Sequence, residues 1–347
     1  MIMHPLPEGV PLRRTSRRLL GGLLALGMTV AVSACGEEST DTTGSEPAEG
    51  GWSFTDDLGT TVELPEAPTR IAGLNDLAAS LWNYGLEPVA TFGQTSAEDD
   101  VAFEGRDLSD VAIVGSSYGE IDLEALAAAD PDVIVTTIYP VDSSGEIPAD
   151  TAGYGFTDQA QQEQVAEIAP IITIAYRGSA ADVIERVVEL ADALGVDTGS
   201  GTVADARADF ETASEELTET ASSGVSVLPV FATEADGWWM AKASDDPQLA
   251  LYQELGVNFV DPGGDGYFWN SVGWEEVPNH PSDVLLYSLR FSMTPEEIAA
   301  QPTAALLPAI EAAQLYPWKY IGPDYVAQAA YMEELSGYLS EAQRVTG

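Results

Sequence analysis

The chain has 347 residues, with 57 acidic against 13 basic side chains, a formal net charge of −44 and a single cysteine. So negative a field disfavours nucleic acid and anionic lipid surfaces as partners, and one thiol excludes an internal disulfide framework. At 45% apolar residues the chain can bury one large or two medium cores, which excludes a wholly disordered polymer.

The first element is an export signal over 1–34. Arg13, Arg14, Arg17 and Arg18 precede an apolar run over 19–32, 14 residues long and short of the roughly 20 needed to span a bilayer. The stretch SRRLLGG also resembles a twin-arginine signal, with Leu where Phe is commoner, so either the twin-arginine or the general secretory route fits. The signal ends in VSAC, an apolar branched residue and two small ones before Cys35. Bacteria cleave before such a cysteine and attach lipid to its sulfur, so Cys35 is expected to be the lipidated first residue of the mature chain. No thiol then remains for a disulfide or a metal. Residues 35–51 form an acidic, Ser-, Thr- and Gly-rich tether that buries too little to order itself. Removing the signal's four arginines and Glu8 leaves nine basic against 56 acidic residues, or −47. That excess either solvates an exposed protein or selects a neutral or cationic ligand.

From Trp52 onward short β-branched runs alternate with helical ones. TRIAGL, PVATFG, VAIVG, DVIVTTIY and IITIAY read as strands, and DLAASLWNYG and DLEALAAAD as helices. The alternation predicts an α/β lobe with a mostly parallel, covered sheet over 52–178. Residues 179–196 keep a helical period through Val183, Ile184, Val187, Val188, Leu190, Ala191 and Leu194 and stop at Gly195. They are predicted to be the long helix joining this lobe to a second α/β lobe over 197–347. Ungapped, residues 121–135 (IDLEALAAADPDVIV) repeat as 272–286 (VGWEEVPNHPSDVLL), matching Glu124 with Glu275 and Asp132 with Asp283.

Ligands of parallel α/β sheets bind beyond the carboxyl ends of strands. Those ends carry Asn75, Ser116, Ser117, Tyr118, Tyr139, Trp238, Trp239 and Arg290, with Tyr267, Phe268 and Trp269 in the glycine-rich loop GGDGYFWN. Such an aromatic set suits a cleft for a bulky, partly apolar ligand; equally, single rings cap each lobe's core. Catalytic constellations are thin. His280 is the one histidine beyond the signal, so no metal cage of nitrogen and sulfur ligands and no Ser-His-Asp or Cys-His pair is expected. GGDG lacks a following Walker lysine.

The succession RIAGL, LWNYGLEPVATFG, VAIVGSS, IDLEALAAADPDVIV, QVAEIAPIITI, ELADALGV, YQELGV, VGWEEV and DVLL resembles the iron-siderophore and vitamin B12 class of ABC-transporter solute-binding proteins. The resemblance covers nearly all of 52–347, with PSD at Pro281 where the family favours DPD. It implies two sandwich lobes bridged by a long rigid helix, a ligand held in the cleft, and delivery to a permease whose arginines engage one glutamate on each lobe, here Glu124 and Glu275. The expectation is a monomeric lipoprotein on the outer face of a bacterial cell membrane, partnered by an ABC permease and its ATPase. Its ligand would be a ferric siderophore, of hydroxamate type because so few basic residues are present to hold an anionic catecholate or citrate complex. No resident cofactor or protein-bound metal is expected; iron enters inside the siderophore. Cobalamin or haem is the alternative ligand, and a cell-surface enzyme, a sensor or an adhesin are rivals from other classes.

Overall fold

A computed structural model describes residues 51–235, 237–290 and 292–346. The export signal, Cys35 and all but the last residue of the tether lie outside the described residues. An antiparallel hairpin, β1 (Trp52–Thr55) and β2 (Thr61–Leu64), comes first. The next strands and helices are β3 (Ile71–Leu74), α1 (Asn75–Asn83), β4 (Ala90–Phe92), β5 (Ala112–Ile113), α2 (Leu123–Ala128), β6 (Val133–Ile138), α3 (Gln159–Ala166) and β7 (Ile171–Ala175). Their strands form a fully parallel sheet in the order β5-β4-β3-β6-β7. All six residues of β6 are buried, as a strand covered on both faces requires. On one face Ile71, Val133, Val135, Ile172 and Ile174 pack with Leu77 and Leu81 of α1. On the other, Ala72, Leu74, Phe92 and Ile134 meet Leu126 of α2 and Val165 of α3.

Two helices lead onward, α4 (Ala180–Ala193) and α5 (Gly201–Ala221). The second lobe holds β8 (Ser226–Thr233), β9 (Gly237–Ala241), α6 (Pro247–Glu254), β10 (Asn258–Phe259), β11 (Trp269–Val272), β12 (Val284–Ser288), α7 (Pro295–Ala300), α8 (Pro308–Glu311), β13 (Leu315–Trp318) and α9 (Tyr325–Glu341). Its sheet runs β11-β9-β8-β12-β13, with β10 alongside β8. Here β8, β10, β12 and β13 pair in parallel, while β9 pairs antiparallel with both β8 and β11 and so alone runs against the rest. Asp side chains cap α2, α3, α6 and α9, and Thr294 with Glu297 closes a capping box on α7, satisfying helix N–H groups that would otherwise lack partners.

The bridging helix differs from the sequence expectation. The apolar face of α4, from Val183 to Ala191, belongs to the first lobe's core, and Gly195 ends that run in the left-handed region at φ 92°. Only the first residue of α4, Ala180, reaches the second core, whereas α5 runs along both: Val203 and Ala206 pack in the first, and Ala213, Leu217 and Ala221 pack in the second. At 21 residues α5 is roughly 30 Å long, enough to reach from one to the other. Both segments are amphipathic, so periodicity alone favoured neither.

The repeat has a structural meaning. Asp132 accepts from the Thr69 and Arg70 amides at 2.8 and 2.9 Å, just before β3. Asp283 accepts from the Ser226 amide and hydroxyl at 2.8 and 2.9 Å, where β8 begins. Each aspartate thus pins the start of the parallel strand beside its own. The registers coincide, Val133 opposite Ile71 and Val284 opposite Val227.

Candidate functional site

Equal register carries equivalent residues to the ends of equivalent strands. Six residues past Val133 lies Tyr139, and six past Val284 lies Arg290. Ile134 pairs with Ile171 and Leu285 with Leu315, so five residues further on Tyr176 matches Tyr320. These four side chains stand where the two sheets' carboxyl ends meet.

The first lobe contributes a row of tyrosines. Ring centroids are 5.5 Å apart for Tyr118 and Tyr154, 4.9 Å for Tyr154 and Tyr139, and 5.1 Å for Tyr139 and Tyr176, distances typical of edge or tilted aromatic contacts. The second lobe answers with Phe268 on Trp269 at 5.0 Å, Trp269 on Trp318 at 6.0 Å and Trp318 on Tyr320 at 4.5 Å. Burial pushes the phenols of Tyr139, Tyr176 and Tyr320 well above their ordinary range. They stay neutral hydrogen-bonding groups on an apolar wall. After burial, the charge of Asp246 adds most to the shift of Tyr320.

Arg290 ties the lobes together at the cleft. Its guanidinium lies 5.3 Å from the Tyr320 ring centre and donates across the lobes to both carboxylate oxygens of Asp76 and, at 3.4 Å, to Asp100. Burial by itself would make Arg290 easier to deprotonate, but Asp76 and Asp100 outweigh it and hold its pKa above the usual range. Asn75 Nδ2 donates to the Thr95 carbonyl and to Asp100, both at 3.1 Å, and Thr95 Oγ1 donates to Asp100 at 3.3 Å. Asn75 Oδ1 is buried without a donor among the described residues. A second crossing runs from Ser143 to Asp245 at 3.1 Å, and Asp245 also accepts from the Phe268 amide at 3.0 Å.

The structure sorts the residues expected from sequence. Asn75, Tyr118, Tyr139, Trp269 and Arg290 enter the network just described, and Tyr267 leads into the second lobe's aromatic row, 6.5 Å from Phe268. Trp239 sits opposite Phe231, whose ring lies 6.2 Å from Trp269. Ser116 is exposed, and Ser117 is bonded to Glu120. Trp238 is a correction: it is fully buried in the outer core of the second lobe with Met240, Val277 and Leu285, its ring 5.9 Å from that of Trp274. Neighbouring strand residues point to opposite faces, so only one of Trp238 and Trp239 shares the face of Phe231. Arg290 is a correction in part, since its donors already serve Asp76 and Asp100. Sequence reading missed Asp76, Asp100, Tyr154, Tyr176, Trp318 and Tyr320; the ungapped repeat carries Tyr176 onto Ala327, not Tyr320, so only the strand registers make those two tyrosines equivalent. Glu124 and Glu275 are exposed, each in the first turn of a short helix. Two surface crevices, about 180 and 480 Å³ in volume, lie elsewhere, one between α1 and α9 and the other beside Phe103.

Two α/β lobes, a helix spanning both cores and an aromatic cleft between strand ends define a two-lobed solute-binding architecture. The chain belongs to the periplasmic binding protein family, whose model matches residues 93–320. It is a solute-binding protein of the extracytoplasmic space, not an enzyme. No curated protein matches it in sequence. Among solved structures it is similar to DesE, a ferric-siderophore receptor protein from Streptomyces coelicolor, at 29% identity and a TM-score of 0.75 over 85% of this chain and 99% of that one. The fold is shared with the siderophore periplasmic binding protein from the fuscachelin gene cluster of Thermobifida fusca, at 22% identity and a TM-score of 0.57 over 79% of this chain and 97% of that one. It is shared too with the petrobactin-binding protein YclQ of Bacillus subtilis, at 17% identity and a TM-score of 0.61 over 84% and 99%. Among the described residues no helix is long and apolar enough to cross a membrane.

Proposed function

We propose that this protein captures a ferric siderophore between its lobes and hands it to an ABC permease and its ATPase. The observation that supports this most is the pair of aromatic rows at the strand ends, Tyr118-Tyr154-Tyr139-Tyr176 and Phe268-Trp269 with Tyr320, the latter two backed by the fully buried core ring of Trp318, a wall suited to a bulky ligand with apolar linkers and a polar metal centre. Likeness to DesE, itself a ferric-siderophore receptor protein, points the same way. The iron stays inside the siderophore. A hydroxamate complex of neutral or positive charge fits a cleft whose buried arginine is already matched by Asp76 and Asp100. The ring faces of Trp239, Tyr267 and Trp269, with Asn75, Ser116 and Ser117 at the strand ends, complete the proposed lining.

Delivery uses Glu124 on the first lobe and Glu275 on the second as docking points for arginines of the permease. Cys35 carries the lipid that keeps a monomeric protein at the outer face of the cell membrane; one thioether-linked diacylglycerol replaces a spanning helix. Cys35→Ser should appear in the medium or fail to mature, and membrane retention of the exported variant would refute the anchor.

The ligand assignment is tested by titrating the purified mature protein with ferric trihydroxamates, cobalamin and haem while following tryptophan fluorescence. Saturable quenching by a ferric hydroxamate is expected. Response to cobalamin or haem without any response to ferric siderophores would replace this reading with the other ligand.

A further inference from the structure

We propose that Asp76 and Asp100 are the charge-specificity determinants of this cleft: by claiming the Arg290 guanidinium across the lobes they make the site reject anionic iron complexes. The inference rests on the siderophore reading above. An arginine between binding lobes would ordinarily offer five donors to an anionic ligand. Here that offer has been withdrawn. Arg290 is held by both oxygens of Asp76 and by Asp100 at 3.4 Å, and the three side chains are 15%, 16% and 3% exposed respectively.

The arrangement is over-supplied with negative charge, since two carboxylates face one guanidinium. Asp100 is fixed by Asn75 Nδ2 at 3.1 Å and Thr95 Oγ1 at 3.3 Å, so it cannot swing away without leaving those donors unmet. An anionic complex entering the cleft meets one of two penalties. It either sits beside Asp76 and Asp100 with like charges in a low dielectric, or strips Arg290 from them and leaves two buried carboxylates uncompensated. A cationic complex meets neither and balances the excess. Asp246, also buried nearby at the N-terminus of α6, adds to the same sign and contributes to the raised phenols of Tyr139, Tyr176 and Tyr320. Arg177 and Lys242 do not restore the balance at depth, because each donates to a backbone carbonyl, Gly145 and Gly264, at an exposed position. Rejection is thus built from groups that need not touch the ligand's favourable contacts.

The test compares affinities for a cationic ferric trihydroxamate and a trianionic ferric tricatecholate in the wild type, Asp76→Asn, Asp100→Asn, the double Asn variant, and the double variant with Arg290→Gln. The wild type should prefer the cationic complex by at least 100-fold. Each single variant should shrink that preference about tenfold, the double variant more, and Arg290→Gln should remove the gain for the anionic complex. If the double variant does not fold, the single variants decide, since each leaves Arg290 one carboxylate. A preference unchanged in folded single variants would overturn the charge filter while leaving the siderophore reading intact, as would equal binding of both complexes by the wild type. Failure of the wild type to bind any ferric complex would overturn both.

Discussion

Tyr176 and Tyr320 hold the same place in their two lobes. Each lies five residues beyond a strand residue, Ile171 or Leu315, that pairs with the second residue of the lobe's repeat strand, Ile134 or Leu285. Each is buried enough to keep its phenol neutral far above the usual range. The lobes differ in what stands beside that tyrosine. In the first it is Tyr139, 5.1 Å away, whereas in the second it is Arg290, 5.3 Å from the ring centre. The cleft is therefore near-symmetric in shape and asymmetric in charge, which suits a ligand with one apolar and one polar flank.

Shortening either ring should weaken binding from its own side. Tyr176→Ala and Tyr320→Ala are each expected to cost about 1–3 kcal/mol of ligand affinity by calorimetry, as for a buried aromatic hot spot. Affinity unchanged in both would place the ligand away from the strand ends.

Trp238 and Trp269 should separate stability from binding. Trp238 is fully buried in the outer core, so Trp238→Ala should lower unfolding free energy by about 3–5 kcal/mol and leave the ligand Kd within about twofold. Trp269→Ala, in the cleft row, should weaken binding about tenfold, roughly 1.4 kcal/mol. Chemical denaturation and fluorescence titration of the two variants check the contrast, which fails if Trp238→Ala loses affinity first.

Stability should rise as the solution is acidified from neutrality. Burial pushes Asp246 and Asp324 each up to about 6 from 3.8. A folded-state pKa above the unfolded one means the native state holds the proton more tightly between about 4 and 6. The stabilising contribution is present below the unfolded value and lost as pH rises through about 6, by roughly 3 kcal/mol per group. The melting temperature should therefore be higher at pH 5 than at pH 7.5. Asp246→Asn with Asp324→Asn, which keeps both cap acceptors, should flatten that difference; an unchanged profile would count against both groups.

Charge reversal at Glu124 and Glu275 tests docking. Both carboxylates are exposed and each precedes its strand-pinning aspartate by eight residues, Asp132 and Asp283. Glu124→Arg with Glu275→Arg should abolish iron uptake by cells while ligand affinity of the soluble protein stays within about twofold, roughly 0.4 kcal/mol. Normal uptake would end the assignment.

The sequence by itself determined the alternation of strands and helices, the two-lobe division and the repeat, because these depend on local period and on short-range caps. The unbroken β-branched run of β6, VIVTTI, reads as a strand, and an aspartate just before each repeat strand was positioned to bond its neighbour's first amides. Three matters waited for the tertiary structure. Two amphipathic helices follow one another, and only packing placed α4, but for Ala180, in the first core and ran α5 along both. Adjacent tryptophans on β9 face opposite sides, and local pattern does not say which side is the cleft, since both faces of that sheet are covered. Arg290 finds Asp76 and Asp100 at separations of 214 and 190 residues. In a chain with 57 acidic side chains, an arginine has many possible partners along the sequence. Only the meeting of the two lobes selects these two, and with them the charge of the cleft.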